Sequence, residues 1–283
     1  MSITEPGVYT LTDAEYHADP VPGGSLSSTG ARRILDSPAR FRWEQTHRVE
    51  KVAFDVGHLV HSLVLGTGME AVEIPADVLA TNGAASTKDA KAFIEATRAA
   101  GKVPMKADDL APIRAMAEEV LAHRTARALL ERPGASEVSL FAPDKATGVM
   151  RRGRIDRLPD ADAGSPLAID LKTARSADPR EFRRAVAEHG YHQQAAWYLD
   201  LLTDTRGDRD PRMFFIAVET AAPHLVSVCE LDFEAMETAR RRNREALDTY
   251  ARCVAADTWP GYGDDVHLID LPMWALDQDE MSL

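Results

Sequence analysis

Three short runs between Glu137 and Thr173 constrain this chain more than any other feature. EVSLFA (137–142), VMRRGRIDRL (149–158) and LAIDLKT (167–173) are separated only by DKATG and PDADAGSP. Strand-like runs punctuated by Gly, Asp and Pro read as a three-stranded antiparallel meander. In the last run Leu167, Ile169 and Leu171 alternate with Ala168, Asp170 and Lys172, so an aliphatic face backs a carboxylate and an ammonium. That aliphatic face has to be covered, and the flanking segments must supply the helices.

They carry the signals to do so. In SLSSTGARRILDSPARFRW, Ser27 or Ser28 suits a helix N-cap and Pro38 restarts a second helix. AFDVGHLVHSLVLG (53–66) groups Val56, Leu59, Val60, Leu63 and Val64 on one helical side. Further helices are expected over 87–100, 107–131, 179–189, 191–202 and 233–256, a loop over 78–88, and strands over 212–220 and 224–231. The first 24 residues, rich in Pro and Gly, read as an extended arm. The order implies an α/β (α+β) fold: one domain with a mixed central β-sheet flanked by helices and an N-terminal helical extension. Residues 1–135 form its mainly helical part, 136–256 its core and 257–283 a tail.

The two aspartates of the meander raise a chemical question. Asp156 and Asp170 lie symmetrically about residue 163, so in a hairpin without a bulge they face each other at about 5 Å between Cβ atoms. Like charges so placed repel. A divalent cation between them resolves the conflict, with Lys172 beside it, because Mg²⁺ takes hard oxygen ligands and keeps positions for water and phosphate. A slipped register would put one Asp on the other face, and a lone D-x-K can equally be a surface ion pair. Glu137 is placed either to reach the same cation or to stand as an edge charge.

Bulk properties bound the partners. The net charge of −12 argues against a generally basic nucleic-acid binder, yet Arg151, Arg152, Arg154 and Arg157 fall within seven residues and form a local positive run. By alternation Arg152 and Arg154 share the parity of Asp156, which makes their forks candidates for a phosphate backbone. Arg32, Arg33, Arg40 and Arg42 could extend that track. Two cysteines exclude a disulfide framework and a four-cysteine metal site. The sequence holds no run of 18 apolar residues and MSITEPGVYT lacks signal-peptide character, so a cytoplasmic protein without a membrane partner is expected.

RGRIDRL, IDLKT fourteen residues on and HQQAAWY together resemble the PD-(D/E)xK nuclease superfamily. SLSSTGARRILDSPARFRW, AFDVGHLVHSLVLG and YHQQAAWYLD resemble, more narrowly, phage and prophage exonucleases of the exodeoxyribonuclease VIII (RecE) type, over roughly residues 8–250. The resemblance implies a restriction-endonuclease-like core and a Mg²⁺-dependent exonuclease acting on ends of linear double-stranded DNA, with Mn²⁺ as a substitute. It implies 5′→3′ processive digestion, a homo-oligomeric ring, a single-strand annealing protein as partner and a phage or prophage origin. Asp156, Asp170, the Leu171 carbonyl and His61 are its metal ligands, and Lys172 is its catalytic lysine. Gln194 joins the catalytic group, with Gln193 as the shifted alternative, and Tyr198 joins Arg152 and Arg154 in binding DNA. A zinc pair of His58 with His61 is a competing use of that histidine, without a closing set of ligands.

Overall fold

The computed structural model describes residues 2–47, 56–161 and 165–271. The chain runs β1 (Gly7–Thr10), α1 (Asp13–His17), β2 (Leu26–Ser27), α2 (Ser28–Asp36), α3 (Pro38–Thr46) and α4 (Val56–Leu65). It continues with β3 (Ala71–Glu73), α5 (Lys88–Ala99), β4 (Val103–Met105), α6 (Ala107–Ala122) and α7 (Arg124–Leu130). The second half holds β5 (Gly134–Pro143), β6 (Met150–Pro159), β7 (Leu167–Ala174), α8 (Pro179–Glu188), α9 (Tyr191–Arg206), β8 (Arg212–Glu219), β9 (Val226–Glu230) and α10 (Phe233–Ala256).

The main sheet has the order β1-β5-β6-β7-β8-β9, with β2 added against β6. The meander β5-β6-β7 is antiparallel, β7 and β8 are parallel, and β9 returns antiparallel, so the sheet is mixed. Leu167, Ile169 and Leu171 enter one buried cluster with Leu59 and Val60 of α4 and Ile113 and Met116 of α6. Ala168 enters the cluster on the opposite face, with Trp197 and Leu201 of α9 and Leu247 of α10. Each face of β7 is thus covered by helices, and Trp197 seals the α9 layer by donating its indole N–H to the Arg152 carbonyl at 2.9 Å.

Local signals account for most boundaries. Ser27 caps α2 through Gly30 N–H, and Ser37 caps α3 with Pro38 at its first position. Two expectations change. The arm is not merely extended: β1 pairs with β5, and a reciprocal Thr12–Glu15 capping box starts α1. The helix expected over 107–131 breaks at His123, whose extended backbone (ψ 114°) ends α6 and whose ring accepts the Ala126 N–H to cap α7. Residues 53–55 of the expected α4 and 272–283 of the tail lie outside the described residues.

One irregularity positions everything that follows. The β5–β6 ladder pairs Val138 with Ile155 and Ser136 with Arg157, but the Glu137–Asp156 step between them is missing from it, and Glu137 has φ +56°. Ile155 and Leu158, three residues apart, both enter the core beneath α9, so alternation slips at Asp156. On its other edge β6 pairs with β2 at Arg151 and Arg152, and with β7 only at Arg157–Ile169. Among the described residues, positions 153–156 have no strand partner on that edge. The sheet is open where the acids stand.

Candidate functional site

The pair Arg157–Ile169 sets the register in which Asp156 faces Asp170. Instead of a ladder bond, the Asp156 Oδ2 accepts the Leu171 N–H at 2.8 Å, so a side chain bridges the opened strands. Asp170 points into the α9 layer and is 1% exposed. A carboxylate so deep must be paired to stay charged. Its Oδ1 accepts from Gln194 Nε2 at 2.6 Å, and its Oδ2 lies 2.6 Å from the Lys172 ammonium.

Lys172 stands 4.7 Å from the centre of the Tyr191 ring. Burial disfavours its charge, but Asp170 and Asp156 outweigh that and hold the ammonium above the ordinary lysine range. Asp156 shifts the other way for a carboxyl: burial first, then the neighbouring charge of Asp170, push it up to about 7 against the pull of His61 and Lys172. A buried acid raised by a neighbouring carboxylate marks a place suited to a further positive charge.

His61 on α4 reaches the same point from the other side. Its Nε2 lies 2.6 Å from the Leu171 carbonyl, which can only accept, so this nitrogen donates. Nδ1 then faces Asp156 Oδ2 at 3.5 Å. His61, Asp156 and Glu137 offer ligand atoms that all lie within 4.8 Å of one another. A nitrogen, carboxylate oxygens and a backbone carbonyl form a donor set that fits a divalent cation.

Glu137, read from the sequence as an edge charge ahead of a ligand, stands in this group. A signal for it existed, because the mirror argument that opposes Asp156 to Asp170 also opposes Glu137 to Asp156 across the DKATG turn. Arg154 Nε donates to Glu137 Oε2 at 2.7 Å and fixes that carboxylate. Arg154 and Arg152 lie beneath α1, 5.4 and 5.3 Å from the Tyr16 ring centre, and Arg152 pairs with Asp19 at 2.8 Å. Both guanidinium groups are therefore engaged inside the chain. Alternation aims them at the Asp156 face only if it runs unbroken, and it does not.

Tyr198 is buried, its ring packed against Gly153, where a Cβ would come within 2.8 Å of Tyr198 and Leu201. Its hydroxyl interacts with Gln194 and is raised by burial, which makes it part of the support of Asp170 and not an exposed surface. Gln193 instead bonds Asn243 of α10 and locks the helix from behind. His58 is exposed to solvent. Arg32 of α2 is half-buried at the rim, donating to the Gly190 carbonyl at 3.1 Å, and it feels Tyr191 and Asp170. Gly190 (φ +66°) leaves it room, since a Cβ there would lie 2.3 Å from Arg32 Cδ.

Residues 27–272 match the model of a PDDEXK-like domain of unknown function (DUF3799). A candidate exonuclease from Eubacterium rectale superposes with a TM-score of 0.58 at 15% identity, over 95% of this chain and 99% of that one. At that identity the likeness concerns the fold. An alkaline exonuclease from Laribacter hongkongensis (TM-score 0.28, 13% identity, 70% of this chain and 96% of that one) and a phage-related exonuclease from Haemophilus somnus 129PT (0.30, 13%, 70% and 95%) are too remote to carry an argument. No curated protein matches the sequence.

Proposed function

The chain belongs to the PDDEXK-like domain family DUF3799, and from that premise we propose that it hydrolyses phosphodiester bonds of DNA as a metal-dependent exonuclease. The observation that carries this reading is the convergence of Asp156, Asp170, Lys172 and His61 at one opening of the sheet, from elements far apart in the chain. A purely structural sheet has no use for two mutually repelling acids there.

Asp156, Asp170, the Leu171 carbonyl and His61 would hold Mg²⁺ or Mn²⁺, with Glu137 within reach. Such an ion lowers the pKa of water and neutralises phosphoryl oxygens. The chain's own residues do the rest. Lys172, kept charged by the two acids, stabilises the negative charge that develops on the attacked phosphate and orients the attacking water. Gln194 holds Asp170 in the geometry that Lys172 needs. Arg32, fixed by Thr29 and Gly190, offers positive charge to a backbone phosphate at the rim.

The finer reading comes from the sequence resemblance: linear double-stranded DNA entered at an end, 5′→3′ processive digestion, a homo-oligomeric ring and a 3′ strand passed to an annealing protein. It places the protein in the cytoplasm of a bacterial host, encoded by a phage or prophage. Among the described residues no helix is long and apolar enough to cross a membrane. The test is digestion of linear against covalently closed duplex, with and without Mg²⁺. Loss of linear DNA alone is expected. Cutting of closed circles would instead mark a structure-specific endonuclease or resolvase, and binding without cleavage under any divalent ion would mark a recombination scaffold.

A further inference from the structure

Helix α8 follows the site strand β7 in the chain and is fastened to α9 and β8. Phe182 is buried, with its ring centre 6.1 Å from Tyr191 and 6.4 Å from Phe215, and Tyr191 is the ring beside Lys172. One aromatic residue thus separates α8 from the catalytic ammonium. Phe182 and Val186 face inward, which turns Arg180 and Arg183 outward on a shared face. Arg175 lies three residues beyond Lys172, at most about 10 Å along the chain.

These three arginines are exposed, and none has an ion-pair or hydrogen-bond partner for its guanidinium among the described residues. That contrasts with most arginines in this acidic chain: Arg33 pairs with Glu44, Arg114 with Glu73, Arg212 with Glu230 and Arg244 with Asp144. The acids of α8 are committed or exposed elsewhere. Asp178 caps the helix through Arg180 N–H, Glu181 pairs with Arg184, and Glu188 ends the helix. Three exposed guanidinium forks without internal partners, on the helix and loop that follow Lys172, have the chemistry to hold backbone phosphates.

We propose that Arg175, Arg180 and Arg183 form a rail for the sugar–phosphate backbone of the DNA duplex next to the scissile bond, an inference that rests on the nuclease reading above. The rail acts on binding and tracking, and Lys172 acts on chemistry. The partner is the phosphate backbone, whose charge the guanidinium forks complement without regard to sequence.

The experiment compares the wild-type chain with a triple variant, Arg175→Ala, Arg180→Ala and Arg183→Ala. A charge-matched control replaces Arg241, Arg242 and Arg252, which are exposed on α10 without carboxylate partners. Duplex affinity is measured by fluorescence anisotropy from 50 to 300 mM KCl, alongside KM and kcat. The rail predicts a slope of log Kd against log[KCl] shallower by up to about 2.7, at roughly 0.9 per phosphate contact. It also predicts a KM raised about tenfold, with the loss falling on KM and not kcat, while the α10 control tracks wild type. Unchanged slope and KM in the α8 variant, or an equal loss in the α10 control, would overturn it. A wild-type chain that binds duplex yet never cleaves would sink the hydrolytic reading alone, and the slopes would still decide the rail.

Discussion

Gln194 of α9 donates at 2.6 Å to the carboxylate of Asp170, a group 1% exposed in the middle of β7. The helix layer is thereby tied to an acid that the core could not otherwise tolerate. Replacing Gln194 with Leu keeps the volume but leaves Asp170 Oδ1 without its donor. An unsatisfied buried acceptor costs about 1–3 kcal/mol. Urea unfolding should show a loss of that size, and no loss would mean that the bond contributes nothing.

Lys172→Ala removes the ammonium that both acids hold in place. Turnover on linear duplex with Mg²⁺ should fall by about a hundredfold or more, as when a preorganised electrostatic stabiliser is lost, with DNA affinity largely intact. Circular dichroism confirms that the variant folds. Wild-type rates from a folded variant would remove Lys172 from the mechanism.

The Asp156 carboxyl is pushed up to about 7 by burial and then by Asp170. An acid whose folded pKa exceeds its unfolded value stabilises fully below the unfolded value and loses that contribution as pH rises through the folded one. Without divalent ions, the Tm contribution of this group should therefore decline between about pH 4 and pH 7. A bound cation opposes that loss, so the Tm gain on adding Mg²⁺ or Mn²⁺ should be larger at pH 8 than at pH 5. Asp156→Asn should flatten the difference. Equal gains at both pH values would contradict a cation between these acids.

Glu137→Gln tests the third carboxylate. If it helps to hold the cation, the Mn²⁺ concentration needed for half-maximal activity should rise severalfold while kcat at saturating Mn²⁺ changes little. An unchanged requirement would leave Glu137 as the partner of Arg154 only.

Gly153→Ala should destabilise by about 1–3 kcal/mol, because a Cβ at 2.8 Å from Leu201 and Tyr198 overfills a packed seam. Thermal unfolding reads this directly. A neutral result would mean that α9 can withdraw from the sheet at little cost.

Much of this was legible in the sequence because the informative patterns were local. The cap at Ser27, the helix restart at Pro38, the period of LAIDLKT and the turn symmetry between Asp156 and Asp170 all act within a few residues. The failures arose where a distant element overrode a local period. Alternation along β6 slips opposite Glu137, so Arg152 and Arg154 turn toward Tyr16 and Asp19 of the arm. Arg32 stood in a row of four basic residues, and only the fold singles it out, through Gly190 158 positions away.

The open edge of β6 also changes the status of the first thirty residues. Because β2 occupies the part of β6 that β7 abandons, and α2 begins where β2 stops, the arm works as the hinge pin of the cleft: shifting it by one residue would re-aim Arg32 and unroof two arginines at once. What reads as a loose extended arm is a moulding against which the open edge of the sheet is held.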